Sequence, residues 1–227
     1  MIVITGASRG IGKYLGEAFT EAGEHVLGTY YTTLPDKNKK NNLTKVDISN
    51  QFDVESWING IKDDLNRITL INCAGINHTA LAHKSNLDNW SQVIEVNLIG
   101  TFNVIHEILP IMRMQGYGRI INLSSVVAQT FVPGASAYAA SKAGLWGMTR
   151  SIAIENVKKG ITINNINLGY FDIGMISEVP AEYQEKLKNK IPTGNYGKPQ
   201  NIMSAVRFLM ENDYMSGTSI DINGSLH

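Results

Sequence analysis

Short apolar runs alternate with longer amphipathic stretches along the whole chain, and this order limits the fold more than any single motif. The apolar, β-rich runs fall at Ile2–Thr5, 25–31, 46–48, 68–72, 119–123, 161–166 and Ser219–Ile222. Helical spacing is read between them at 14–22, 52–65, 87–114, 137–157, 180–190 and 200–210. Parallel neighbours in a sheet need a long crossover, and a helix supplies it. The expected fold is therefore α/β: a single doubly wound, Rossmann-like domain over 1–227, with a parallel sheet and helices on both faces. Residues 34–42 read as a polar, turn-rich connection, and no repeat or linker divides the chain. Its 227 residues, 43% of them hydrophobic, supply one sizeable core.

Charge narrows the partners. Lys plus Arg number 20 and Asp plus Glu number 20, so no excess cation exists to neutralise a nucleic acid or hold an anionic bilayer. The one cysteine, Cys73, cannot form an internal disulfide, and with five scattered histidines it builds no zinc site. No run approaches about 18 apolar residues, and the first residues lack a secretion signal. A cytoplasmic protein without metal, nucleic acid or membrane partner is expected.

Ligands of a doubly wound sheet gather at the carboxyl ends of its strands. Thr5-Gly-Ala-Ser-Arg-Gly-Ile-Gly12 lies between the first strand and the first helix, with glycines at 6, 10 and 12. Such a loop lets the backbone approach a pyrophosphate that the helix N-terminus stabilises. The same cluster also suits a tight turn with no ligand. An acid about 20 residues past the glycines would accept the ribose 2′-hydroxyl of NAD. No Asp or Glu occurs from His25 to Pro35; the strand ends Thr29-Tyr30-Tyr31, and Arg9 stands in the loop. A guanidinium pairs with a 2′-phosphate, so NADP(H) is expected in preference to NAD(H). Lys37, Lys39 and Lys40 read as a hydrophilic turn.

Tyr138-Ala-Ala-Ser-Lys142 puts a phenol and an ammonium on one face of a helix. The ammonium is expected to favour the phenolate and lower the Tyr138 pKa. Alone the pair is also what an exposed helix carries by chance. Ser124-Ser125 follows the fifth strand, and Asn72-Cys-Ala-Gly75 follows the fourth, so three strand ends converge on one crevice. Asn97 falls inside the long helical stretch, where Asn is a mediocre helix former.

With these motifs in order, the chain resembles the short-chain dehydrogenase/reductase family from Thr5 to Gly224. The resemblance implies that Gly6, Ser8, Arg9, Gly10, Ile11 and Gly12 form the cofactor loop and that Tyr30 and Tyr31 lie near it. It places Asp47 and Ile48 by the adenine, and it matches Asn72, Ala74 and Gly75 to the Asn-x-Ala-Gly signature. Asn97, Ser125, Tyr138 and Lys142 match the catalytic tetrad, Tyr138 and Lys142 also touching the cofactor. Ser125 is preferred to Ser124 because thirteen positions separate it from Tyr138. Within the family, Arg119-Ile-Ile-Asn-Leu-Ser-Ser-Val-Val127 and Ile191-Pro-Thr-Gly-Asn-Tyr-Gly-Lys-Pro199 are most similar to 3-oxoacyl-(acyl-carrier-protein) reductases.

The implied reaction passes hydride from NADPH to a carbonyl carbon. Ser125 would bond the carbonyl oxygen, Tyr138 would protonate it, Lys142 would hold the nicotinamide ribose, and Asn97 would hold a water. A 3-oxoacyl thioester or similar ketone is the expected substrate; a sugar, a polyketide or another secondary metabolite is the alternative, and a non-catalytic dinucleotide sensor is a third reading. A homo-oligomer, tetramer or dimer, is implied, with the last two helices as candidate interfaces. The family's Pro-Gly and later Thr are replaced in Leu168-Gly-Tyr-Phe-Asp-Ile-Gly174. Ile173 lacks the hydroxyl, so ring placement is expected to rely on backbone around Gly169 and Phe171. Tyr170 and Phe171 are candidate pocket residues, 180–190 a candidate lid, and Met175 a packing residue. Cys73, His78, His83 and His106 are given packing or surface roles.

Overall fold

A computed structural model of the chain describes residues 1–36 and 42–227; Lys37, Lys39 and Lys40 lie outside the described residues. Seven parallel strands form one sheet in the order β3-β2-β1-β4-β5-β6-β7. They are β1 (Ile2–Thr5), β2 (Val26–Tyr30), β3 (Leu43–Lys45), β4 (Thr69–Asn72), β5 (Gly118–Ser125), β6 (Ile161–Leu168) and β7 (Ser219–Ile222). The helices are α1 (Gly10–Glu21), α2 (Gln51–Ile61), α3 (Leu87–Ile94), α4 (Gly100–Gln115), α5 (Ser136–Asn156), α6 (Ala181–Lys188) and α7 (Pro199–Glu211). This is the expected Rossmann-like architecture, and its strand order reverses beside β1, where such sheets open a crevice.

The pleat of each strand sends alternate residues to opposite faces, and two cores follow. On one face Val3, Leu70, Ile120 and Ile163 pack with Trp57 of α2, Ile105 and Ile108 of α4, and Ile152 of α5. On the other face Ile2, Ile4, Ile71, Ile121 and Ile166 pack with Leu15 and Phe19 of α1 and with Ile202, Val206 and Leu209 of α7. Strands covered on both sides read as continuous apolar runs, which is why the central ones are visible in the sequence.

Several boundaries differ from expectation, among them the start of α1 at Gly10 rather than Tyr14 and the end of β6 at Leu168 rather than Ile166; three others bear on the site. The third strand is Leu43–Lys45, not 46–48: Val46 and Ile48 are buried just past its end, while the edge strand itself is largely exposed and carries no apolar signal. The fifth strand runs on through Ser124 and Ser125, which pair with Asn167 and Leu168 of β6. The long helix from 87 is interrupted by a π turn at Glu95–Ile99, with Asn97 fully buried within it. Among the described residues no helix is long and apolar enough to cross a membrane, and no group of three or more His, Cys, Asp or Glu is placed to hold a metal ion.

Candidate active site

The turn after β1 is built for close approach. Gly6 and Gly10 have φ of 67° and 53°, and a Cβ on Gly12 would stand 2.3 Å from the Gly6 carbonyl oxygen. α1 then begins at Gly10 with no side chain capping its first N–H groups and no acid in its first turn. Such an end attracts an anion. Thr5 Oγ1 accepts from the Cys73 and Ala74 N–H groups, each at 3.1 Å, and so locks the turn after β4 against β1.

A cleft of about 610 Å³ opens along these strand ends, within the range of small-molecule sites. Gly6, Ser8, Arg9, Gly10 and Ile11 line it from the first turn, Tyr30 from the end of β2 and Tyr31 just past it, and Asp47 and Ile48 from the segment after β3. Ala74, Gly75 and Ile173 complete the expected lining. Asp47 is held in a tight turn, its Oδ1 accepting from Ser49 N at 3.0 Å and Ser49 Oγ at 2.6 Å.

Six expected cofactor residues stand outside that lining. Gly12 lies behind the loop, against Gly6. Asn72 is buried and gives its amide to Asn122 at 2.8 Å, leaving its own Oδ1 without a partner. Gly169 is packed against Asn223, and the Phe171 ring is in the core against Gly197, so Phe171 is not a pocket residue. Tyr138 and Lys142 sit beyond the cleft's far end; the Lys142 Nζ lies 3.7 Å from where a Gly75 Cβ would be. Sequence reasoning missed Gln92, Val96 and Met175, all of which line the cleft. Val96 adjoins Asn97, the one signal that pointed there; Met175, read as packing, gave none. His78 has a buried Nε2 with no partner, and His106 lies 60% exposed beside Glu107.

The four tetrad candidates converge. Ser125 is buried at the end of β5, its hydroxyl near enough to the Tyr138 phenol to favour the phenolate; its Oγ accepts from Val127 N at 3.2 Å. Lys142, one turn along α5 from Tyr138, donates through Nζ to the Leu123 carbonyl at 2.7 Å. Asn97 grips Ile76 through both ends of its amide and donates to Ser141 Oγ at 3.1 Å.

The electrostatics run against the expectation for Tyr138. Burial pushes the phenol up to about 12, and the Ser125 hydroxyl opposes this only in part. Lys142 does not lower it, because its ammonium is turned to the Leu123 carbonyl and lies 5.6 Å from the ring centroid. Burial also holds Lys142 down, to about 8. Desolvation raises the Cys73 thiol to about 11 although Lys142, a Gly12 backbone hydrogen bond and Arg9 act the other way, so it is a poor nucleophile.

A strand-turn-helix cradle leading to a half-buried Tyr between a buried Ser and a buried Lys defines an oxidoreductase site, and the chain belongs to the short-chain dehydrogenase/reductase family. A family model described as enoyl-(acyl carrier protein) reductase matches residues 6–227. The chain is 35% identical to a 3-oxoacyl-(acyl-carrier-protein) reductase of Rickettsia bellii, over 99% of this chain and 95% of that protein. It is also 35% identical to an acetoacetyl-CoA reductase of Rhizobium meliloti, over 98% and 96%. Among solved structures, the ligand-free aldohexose dehydrogenase of Thermoplasma acidophilum superposes with a TM-score of 0.90 at 29% identity, covering 99% of this chain and 93% of that one.

Proposed function

We propose that this oxidoreductase uses NADPH to reduce a ketone to a secondary alcohol, with a 3-oxoacyl thioester or similar carbonyl compound as substrate. One observation carries the reading: a serine hydroxyl stands close enough to a tyrosine phenol to favour its ionised form, at the sheet's carboxyl edge and beside a glycine cradle. That cradle fits a dinucleotide, since Gly6 and Gly12, where a Cβ would strike the backbone of Ala74 or of Gly6, let the turn fold tightly enough to bring the helix N-terminus to a pyrophosphate. The 35% identity to two reductases of 3-oxoacyl compounds supports the substrate class.

The reduced nicotinamide, when bound, supplies the hydride. Ser125 donates a hydrogen bond to the carbonyl oxygen, and Tyr138 gives its proton to the alkoxide that develops there. A phenol held near 12 stays protonated at neutral pH, which suits a donor. Lys142 reaches the nicotinamide ribose and, by turning from the Leu123 carbonyl that holds its ammonium in this structure, supports the phenolate left behind. Asn97 braces the turn at Ile76, and its Oδ1 keeps a lone pair for a water that links Lys142 to solvent. Arg9, on the cleft rim with Tyr30 and Tyr31, pairs with the 2′-phosphate.

The whole chain acts as one cofactor-binding unit in the cytoplasm, in keeping with a single thiol. It works as a homo-oligomer; exposed Phe208 on α7 and Tyr214 beyond it support an interface there. A second reading, oxidation of an aldose, is favoured by the likeness to the Thermoplasma dehydrogenase. Purified protein is assayed with NADPH against an acetoacetyl thioester and a 2-enoyl thioester, and with NADP+ against aldohexoses. Consumption with the 3-oxo compound alone is expected. Hexose oxidation alone selects the second reading, and tight cofactor binding without turnover selects a sensor.

A further inference from the structure

The helix bearing Tyr138 and Lys142 is tied to the strand bearing Ser125 by side chains that touch none of the reacting groups. Trp146, one turn past Lys142, shares its indole N–H between Ser124 Oγ at 3.2 Å and Asn167 Oδ1 at 3.0 Å. Ser124 Oγ in turn donates to the Lys142 carbonyl at 3.1 Å. Asn167 Nδ2 donates to Asp221 Oδ1 at 2.7 Å, and Gln129 Nε2 donates to the same oxygen at 3.0 Å. Ser124, Asn167 and Asp221 stand side by side across β5, β6 and β7.

The direction of every bond in this chain is determined. An ionised carboxylate only accepts, so Asp221 turns the amino end of Asn167 toward itself and the carbonyl end toward the indole. The indole only donates, so Ser124 must accept from it and keeps its single proton for the Lys142 carbonyl. Lys142 is then held to β5 at two points, through that carbonyl and through Nζ on Leu123 O. Gln129 closes the circuit on the turn that follows Ser125.

We propose that Trp146, Asn167 and Asp221 are positioning residues that hold Ser125, Tyr138 and Lys142 at the spacing needed for one carbonyl oxygen. The effect on rate rests on the carbonyl-reductase reading; the bracing of Lys142 does not. Trp146→Phe, which keeps the ring and loses the donor, and Asn167→Ser are each expected to lower kcat about tenfold with NADPH affinity within twofold. The double variant is expected to be no worse than the poorer single, because both break one chain. Asp221→Asn still presents an acceptor and is expected to keep activity within twofold, whereas Asp221→Leu falls like the others.

The 13Cε resonance of Lys142, followed against pH without cofactor, supplies a readout independent of turnover. Its midpoint is expected to rise in Trp146→Phe and Asn167→Ser as water reaches the loosened ammonium, and to stay put in Asp221→Asn. Full kcat in a folded Trp146→Phe, or losses that multiply in the double variant, would overturn the proposal. If the wild type reduces no carbonyl, the functional reading fails, and an unmoved Lys142 midpoint then overturns the bracing as well. Should Trp146→Phe not fold, Asn167→Ser and the two Asp221 variants decide by the same criteria.

Discussion

Asn97 and Ile76 exchange two hydrogen bonds: the Ile76 N–H donates to Oδ1 at 2.8 Å, and Nδ2 donates back to the Ile76 carbonyl at 2.9 Å. The side chain that does this is wholly buried in a π turn between α3 and α4. An extra residue in the turn is a common device at functional sites, and here the turn places Asn97 against the backbone beside Gly75.

Removing that side chain takes the partner from the half-buried Ile76 N–H and C=O. Asn97→Ala is expected to lower the unfolding free energy by about 2–3 kcal/mol, read from urea denaturation. An unchanged midpoint would show that Ile76 has no need of it.

The cradle makes a steric prediction. A methyl at residue 12 would meet the Gly6 carbonyl at 2.3 Å, so Gly12→Ala must displace the loop. Its Kd for NADPH, from nicotinamide fluorescence, is expected to rise more than tenfold. Gly60→Ala on α2, where a Cβ meets nothing within 4 Å, is the matched control and is expected to bind normally.

Cofactor choice turns on Arg9. Arg9→Ala is expected to weaken NADPH about tenfold or more while NADH affinity stays within threefold, since only the former carries the 2′-phosphate. Equal losses for both cofactors would place Arg9 on the pyrophosphate instead.

Burial of Lys142, Cys73 and Tyr138 makes stability depend on alkaline pH. Lys142 falls from 10.5 to about 8 on folding, so the unfolded chain binds this proton more tightly. Its penalty is complete below pH 8 and is relieved as pH rises toward 10.5. Tyr138 rises from 10.0 to about 12, so its contribution is present below 10 and is lost as pH climbs to 12. Cys73, raised from 9.0 to about 11, likewise loses its contribution between those values. Unfolding free energy is therefore expected to increase from pH 8 to about 9, to hold level to about 10 while Cys73 offsets Lys142, and then to decline. Lys142→Met is expected to remove the first limb and to gain on the order of 1–3 kcal/mol at pH 7, although it abolishes turnover. A variant less stable than wild type at pH 7 would contradict this.

Much of this architecture is legible in the sequence because central parallel strands are apolar on both faces: Ile2–Thr5 and Thr69–Asn72 are fully buried. The edge is not. Leu43–Lys45 needs no apolar pattern, and the neighbouring Val46 and Ile48 draw attention away from it. The π turn is silent too, since apolar spacing continues through Val96 and Leu98. The family resemblance names Asn97, Ser125, Tyr138 and Lys142 as the candidate tetrad, but the sign of the Tyr138 shift was not legible, because burial outweighs a lysine whose ammonium direction no sequence reveals. Asn165 and Asn167 in a buried strand were the unread signal for the polar chain under α5: buried amides must be partnered.

The central claim is that the Tyr138 phenol protonates a carbonyl oxygen while hydride arrives at the adjoining carbon. Single-turnover oxidation of bound NADPH by an acetoacetyl thioester, in wild type and Tyr138→Phe, tests it most directly. The account expects the variant to bind NADPH within twofold of wild type and to oxidise it at least a thousandfold more slowly. A rate within tenfold of wild type would contradict it.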